Sequence, residues 1–146
     1  MPHLEARFTH STPRTVSVSK RVVAGRIISG LAILFMIFDG GIKLTNTAVV
    51  AVAFAQLGYP VSLAPAIGIL ALLCTAVYAL PRASVFGAVL LTGYLGGAIA
   101  TQVRAGSSTF SVFFPVIIGA LVWGGLALRD DRLSEFLPGR RARATR

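Results

Sequence analysis

Apolar residues run in four long blocks, roughly Val22–Leu44, Val61–Leu80, Ala83–Val103 and Phe110–Leu128, with charged residues at their edges. Each block is about 19–23 residues, close to the ~20 that a helix needs to cross the ~30 Å hydrocarbon core of a bilayer. In that solvent the backbone must satisfy its own polar groups, which selects helices, and a buried charge is costly. The pattern predicts an all-α fold, an integral membrane four-helix bundle. A fifth apolar stretch, Ala48–Leu57, is only about ten residues and too short to span. It predicts one short interfacial or re-entrant helix between the first and second spans. Thr45 or Asn46 is placed to cap its start, and Gly58 and Pro60 to end it.

Local signals set the remaining boundaries. Pro65 falls in the first turns of the second span, where proline is tolerated. The loop Pro81–Ala83 is so short that the second and third spans must be antiparallel neighbours. Arg104–Thr109 is polar and glycine-containing, hence an external loop. The chain divides into a polar tail over 1–19, a membrane domain over 20–133 and a basic tail over 134–146. The N-terminal tail reads as flexible rather than as a signal peptide, because its polar stretch is long and no small-x-small cleavage site follows Phe38.

Small residues recur at four-residue spacing, as Gly93–Gly97 in the third span and Ala120–Gly124 in the fourth. Such pairs let membrane helices approach closely. The expectation is packing inside the bundle, with Tyr94 set among these contacts. A homo-oligomer interface is the alternative.

Charge then orients the bundle. Hydrophobic residues are 55% of the chain, charged residues 13% and the net charge is +9, with a mean hydropathy of +0.77. Of the 14 basic residues, only Lys43 and Arg104 fall on the side away from the termini. The positive-inside rule places both termini in the cytoplasm, and the expected location is the cell's inner membrane. The basic tail Arg140–Arg146 lacks aromatic residues. It reads as a topology signal near anionic headgroups of the lipid bilayer rather than as a nucleic-acid surface.

Polar residues within the spans are few. Asp39 is the one acidic residue inside a span, four before Lys43 on the same helix face. The pair is either an interfacial ion pair with Lys43 snorkelling outward, or a site for a headgroup, a quinone carbonyl or a proton. Thr101, Gln102 and Arg104 lie toward the same outer side. Asp39, Lys43, Thr101, Gln102 and Arg104 form the candidate polar site, lining one small cavity or fixing helix register by hydrogen bonds. Tyr94 near mid-span needs a partner for its hydroxyl. Thr75 and Tyr78 form a second polar element nearer the termini.

Other chemistry is limited by composition. His3 and His10 are the only histidines and both lie in the tail, so two intramembrane haem ligands are not available. Cys74 is the only cysteine, which leaves no thiol relay and no Fe–S cluster. It reads as a small buried apolar residue. No catalytic or metal-ligating set is expected, and the chain itself carries no cofactor ligands beyond a quinone site. Trp123 reads as bundle packing, and Phe110, Phe113 and Phe114 as outer-interface anchors.

The order of Gly41-Ile-Lys43, Leu57-Gly-Tyr-Pro60, Ile67-Gly-Ile-Leu70, Leu80-Pro-Arg82, Gly93-Tyr-Leu-Gly-Gly-Ala-Ile-Ala100 and Leu128-Arg-Asp-Asp-Arg-Leu133 resembles the DoxX family, in its compact DoxX-like branch. The resemblance implies a four-helix membrane protein. It further implies an accessory subunit of a quinone-linked membrane redox complex, because some relatives are subunits of thiosulfate:quinone oxidoreductases. Others are linked to oxidoreductase complexes that include superoxide dismutase. An oxidoreductase or dismutase is then the expected partner protein. Relatives often carry an acid just after the Ile-Gly-Ile-Leu run, where this chain has Ala71. A non-catalytic scaffold or assembly protein is the alternative, and small-solute transport a weaker one.

Overall fold

The structure, a computed structural model, describes residues 20–45 and 47–129. The expected tails, the Asn46 cap and the Asp-Asp-Arg run after Arg129 lie outside the described residues.

Five helices form: α1 (Lys20–Ile42), α2 (Ala48–Gln56), α3 (Ala64–Ala79), α4 (Ser84–Arg104) and α5 (Thr109–Arg129). A 3-10 turn, Val61–Leu63, leads into α3. Four are long and apolar enough to cross a membrane: α1, the 3-10 turn with α3, α4 and α5. This is the all-helical bundle that the apolar blocks predict, and α2 is the short helix between the first two spans. Pro65 sits at the start of α3. Gly58 ends α2 with φ of 69°, a left-handed conformation suited to glycine. One cap differs from expectation. Thr45 bonds the Ile42 carbonyl at 2.7 Å, closing the end of α1, while Thr47 precedes α2 without a side-chain cap. Thr45 is still within reach of the orphan carbonyls of α1, and those claim its hydroxyl first.

The spans pack as a ring, α1 beside α3, α3 beside α4, α4 beside α5 and α5 beside α1. The chain direction alternates around it. In the half nearer the termini the crossings are close and glycine permits them. A Cβ on Gly87 would lie 2.3 Å from the Tyr78 backbone, and one on Gly125 would lie 2.5 Å from the Ser29 hydroxyl. A Cβ on Gly25 would meet the Arg129 backbone at 2.8 Å. Tyr78, fully buried, donates to the Val122 carbonyl at 2.8 Å and meets the Ser29 hydroxyl at 3.0 Å. One phenol thereby ties α3 to α5 and α1. Arg129 lies over its ring and Arg21 bonds the Ala127 carbonyl.

The expected packing pairs need correcting. A Cβ on Gly93, Gly97 or Gly124 would meet nothing within 4 Å, and Ala120 is exposed. The close crossings fall on Gly25, Gly40, Gly68, Gly87 and Gly125 instead. Four-residue spacing marks a smooth stripe on a helix, but the rotation of that helix decides what the stripe faces. On α4 it faces away from every neighbouring backbone. Trp123 does bridge helices, through its ring N–H to the Thr92 hydroxyl at 2.9 Å, yet it stays on the outer surface.

Candidate functional site

Away from the termini the bundle opens. A cavity of about 840 Å³ extends between α1, α3, α4 and α5, with α2 and the following turn forming its outer end. Cavities of ~300–1,000 Å³ with apolar walls and a few polar groups are the usual form of small-molecule sites. Most of this wall is apolar: Phe35 and Met36 from α1, Leu70 and Cys74 from α3, Leu90 from α4, and Phe114 and Ile118 from α5. Phe35 and Phe114 meet edge-to-face at 5.1 Å between ring centres, a favourable aromatic geometry. Pro115 also lines it and removes the N–H that the Ser111 carbonyl would otherwise accept.

The polar part is built around Asp39. The Lys43 ammonium pairs with Asp39 Oδ1 at 2.5 Å and donates to the Asp39 backbone carbonyl at 3.2 Å. The i, i+4 spacing puts both on one face of α1. Lys43 therefore folds back along its own helix instead of snorkelling outward, and its side chain is 17% exposed. From α4, the Tyr94 hydroxyl donates to Asp39 Oδ2 at 3.2 Å. Since α1 and α4 are not adjacent in the ring, this bond crosses the bundle. The carboxylate thus holds one cation and one phenol, each by a different oxygen. Both side chains stay partly exposed.

The five candidate polar residues separate into two groups. Asp39, Lys43, Thr101 and Gln102 all line the cavity. The Thr101 hydroxyl is turned back to the Gly97 carbonyl of its own helix. Arg104 stands apart and exposed. Its guanidinium bonds the Leu57 carbonyl at 2.8 Å and lies over the Tyr59 ring at 5.1 Å. It fastens the turn after α2 to the end of α4. Tyr94, expected among the packing contacts, belongs to the polar set. Thr75 bonds its own helix at Ala71 and sits in the closed half. Phe114, expected at the outer interface, is a cavity wall.

Cys74, Tyr59 and Phe35 were not legible as cavity residues. For Cys74 a weak signal exists: Ile67, Leu70 and Cys74 recur at three- and four-residue steps, one stripe of α3, and all three line the cavity. Nothing local announces Tyr59, whose place depends on the turn after α2.

A sequence profile described as the DoxX-like family matches residues 27–125. No curated protein matches the chain. No solved structure matches it.

Proposed function

The chain belongs to the DoxX-like family and is a multi-pass membrane protein; from that premise we propose that it binds a quinone-type lipophile in its outer cavity, as an accessory subunit of a membrane redox complex. One observation carries the reading. The cavity joins an apolar, aromatic-walled volume to a cluster of hydrogen-bonding groups, Asp39, Lys43, Tyr94 and Gln102. A quinone has the same division, with acceptor-only carbonyls on the head and a hydrocarbon tail. The residues present fit that chemistry. Lys43 and Gln102 supply donors, while the Tyr94 hydroxyl is engaged by Asp39, and the cavity's size suits a ring with part of a tail.

A bound quinone supplies two-electron, two-proton chemistry. The chain's own contribution is to hold and orient. Lys43 and Gln102 are the groups that meet a carbonyl. Asp39 keeps Lys43 and Tyr94 in place and offers a carboxylate for a proton. Phe35 and Phe114 exclude water from the apolar end. With one cysteine and two tail histidines in the whole chain, we assign the electron source to a partner oxidoreductase or dismutase. The charge bias of the described ends, Lys20, Arg21, Arg26, Arg82 and Arg129 against Lys43 and Arg104, supports cytoplasmic termini in the inner membrane. The cavity then lies toward the opposite face.

Purification in mild detergent, with mass spectrometry of copurified proteins and of solvent-extracted lipids, tests both parts. The expected result is a stoichiometric oxidoreductase partner and a quinone retained by wild type but not by Asp39→Asn. A protein that emerges alone and without quinone from both preparations returns the scaffold reading.

A further inference from the structure

We propose that the cavity is loaded sideways from the bilayer, through a fork between α3 and α4 whose mouth Gly93 and Gly97 keep open. This rests on the lipophile-binding reading above and adds a route and a selection rule. The occupant is a molecule already dissolved in lipid, not a water-borne solute.

Three observations carry it. The first is where two adjacent antiparallel helices touch and where both border the cavity. At the terminal end α3 and α4 touch backbone to side-chain position, since a Cβ on Gly87 would sit 2.3 Å from Tyr78. Farther out, the same facing stripes line the cavity: Leu70 and Cys74 on α3, and Leu90, Gly93, Tyr94 and Gly97 on α4. The α4 positions recur at three- and four-residue steps and so share one face. A pair in contact at one end, with both helices bordering the cavity at the other, has the outline of a fork.

The second observation is what stands at the mouth. Leu70 and Val89 line the cavity and are 52% and 53% exposed. Gly93 and Gly97 line it too, with open space where a side chain would begin. These positions lie within helices that are long and apolar enough to span, so the opening faces hydrocarbon.

The third is the closure of the other route. The cavity's outer end is covered by Phe54, Leu57 and Tyr59. Arg104 ties that cover down through the Leu57 carbonyl and the Tyr59 ring. The aqueous side is fastened and the lipid side is not.

The test is pulsed photolabelling of the purified protein in lipid nanodiscs with a decyl azidoquinone, reading initial rate and plateau on the peptides that contain Cys74 and Leu90. Gly93→Leu and Gly97→Leu place a branched side chain in the mouth. Each is expected to cut the initial rate about tenfold, the scale of a modest steric penalty. Arg104→Ala frees the cover and is expected to leave the rate unchanged. Melting temperature confirms that each variant is folded. Wild-type rates in both glycine variants, or faster labelling in Arg104→Ala, overturn the lateral route. Asp39→Asn separates this from the site itself. A lost plateau there with unchanged glycine variants keeps the site and removes the fork. An unchanged plateau in Asp39→Asn, with labelling spread outside the cavity, removes the site.

Discussion

The two halves of this bundle are made from the same four helices and the same kinds of residue, yet one is closed and the other open. Near the termini, glycine is a contact residue. Gly25, Gly87 and Gly125 lie where a neighbour leaves no room for a Cβ, and the one buried phenol, Tyr78, is bonded to two other helices. Away from the termini, Gly93 and Gly97 border open space, and Tyr94 reaches across that space to a carboxylate. Lipid offers no hydrophobic drive between helices, so close van der Waals approach and hydrogen bonds must hold them. These contacts hold the terminal half, and Gly40 against Gly68 holds α1 to α3 in the outer half, so the rest of the outer half can open without dissolving the bundle. The closed half is the scaffold, and the open half is the site it makes affordable.

Substitutions of one type in both halves break or sharpen that contrast. The largest effect is expected at Gly87. Gly87→Leu drives atoms into the Tyr78 backbone and destabilises by ~3 kcal/mol or more, the upper range of overpacking. Gly97→Leu adds the same atoms to open space and shifts stability by less than ~1 kcal/mol. Thermal melting in one detergent compares them, and equal losses would erase the distinction between the halves.

The tyrosines give the next pair. Tyr78→Phe leaves the Ser29 hydroxyl without its phenol partner in a packed interior, removes the bond to the Val122 carbonyl and costs about 1–2 kcal/mol. Tyr94→Phe leaves Asp39 still paired with Lys43 and costs about 0.6 kcal/mol, the mean for hydrogen bonds between membrane helices. Chemical denaturation of the two variants checks the order, and a larger loss at Tyr94 contradicts it.

Arg104→Ala is the smallest. Global stability changes by about 0.5–1 kcal/mol, the range of an exposed cation–π contact. Amide exchange is expected to rise in α2 and its following turn and nowhere in α3. Uniform exchange across the bundle would mean that Arg104 does not act as a local fastening.

Much of the fold is legible in the chain because the bilayer is a demanding solvent. The lengths of the four apolar blocks and the shortness of Ala48–Leu57 force spans and a non-spanning helix. The three-residue loop after Leu80 forces α3 and α4 together. The site is only partly legible. Asp39 and Lys43 are neighbours on one helix, so spacing alone joins them. Tyr94 lies 55 residues from Asp39, and their meeting depends on the rotation of two helices that do not pack side by side. The glycines mislead for the same reason. Gly93–Gly97 has the spacing of a packing motif yet borders open space, whereas Gly125 has Leu121 and Arg129 four residues away and carries a close contact. A pattern along one helix gives its smooth faces but not their partners.

We propose that the open half binds a quinone-type lipophile through the Asp39 cluster. Equilibrium titration of decylubiquinone into wild type and Asp39→Asn in nanodiscs, each checked by melting temperature, tests it most directly. Saturable one-to-one binding by wild type is expected. Asp39→Asn is expected to bind about tenfold more weakly, a loss of ~1.4 kcal/mol, with the fold intact. Nonsaturable uptake by wild type, or equal affinity in the two proteins, would contradict it.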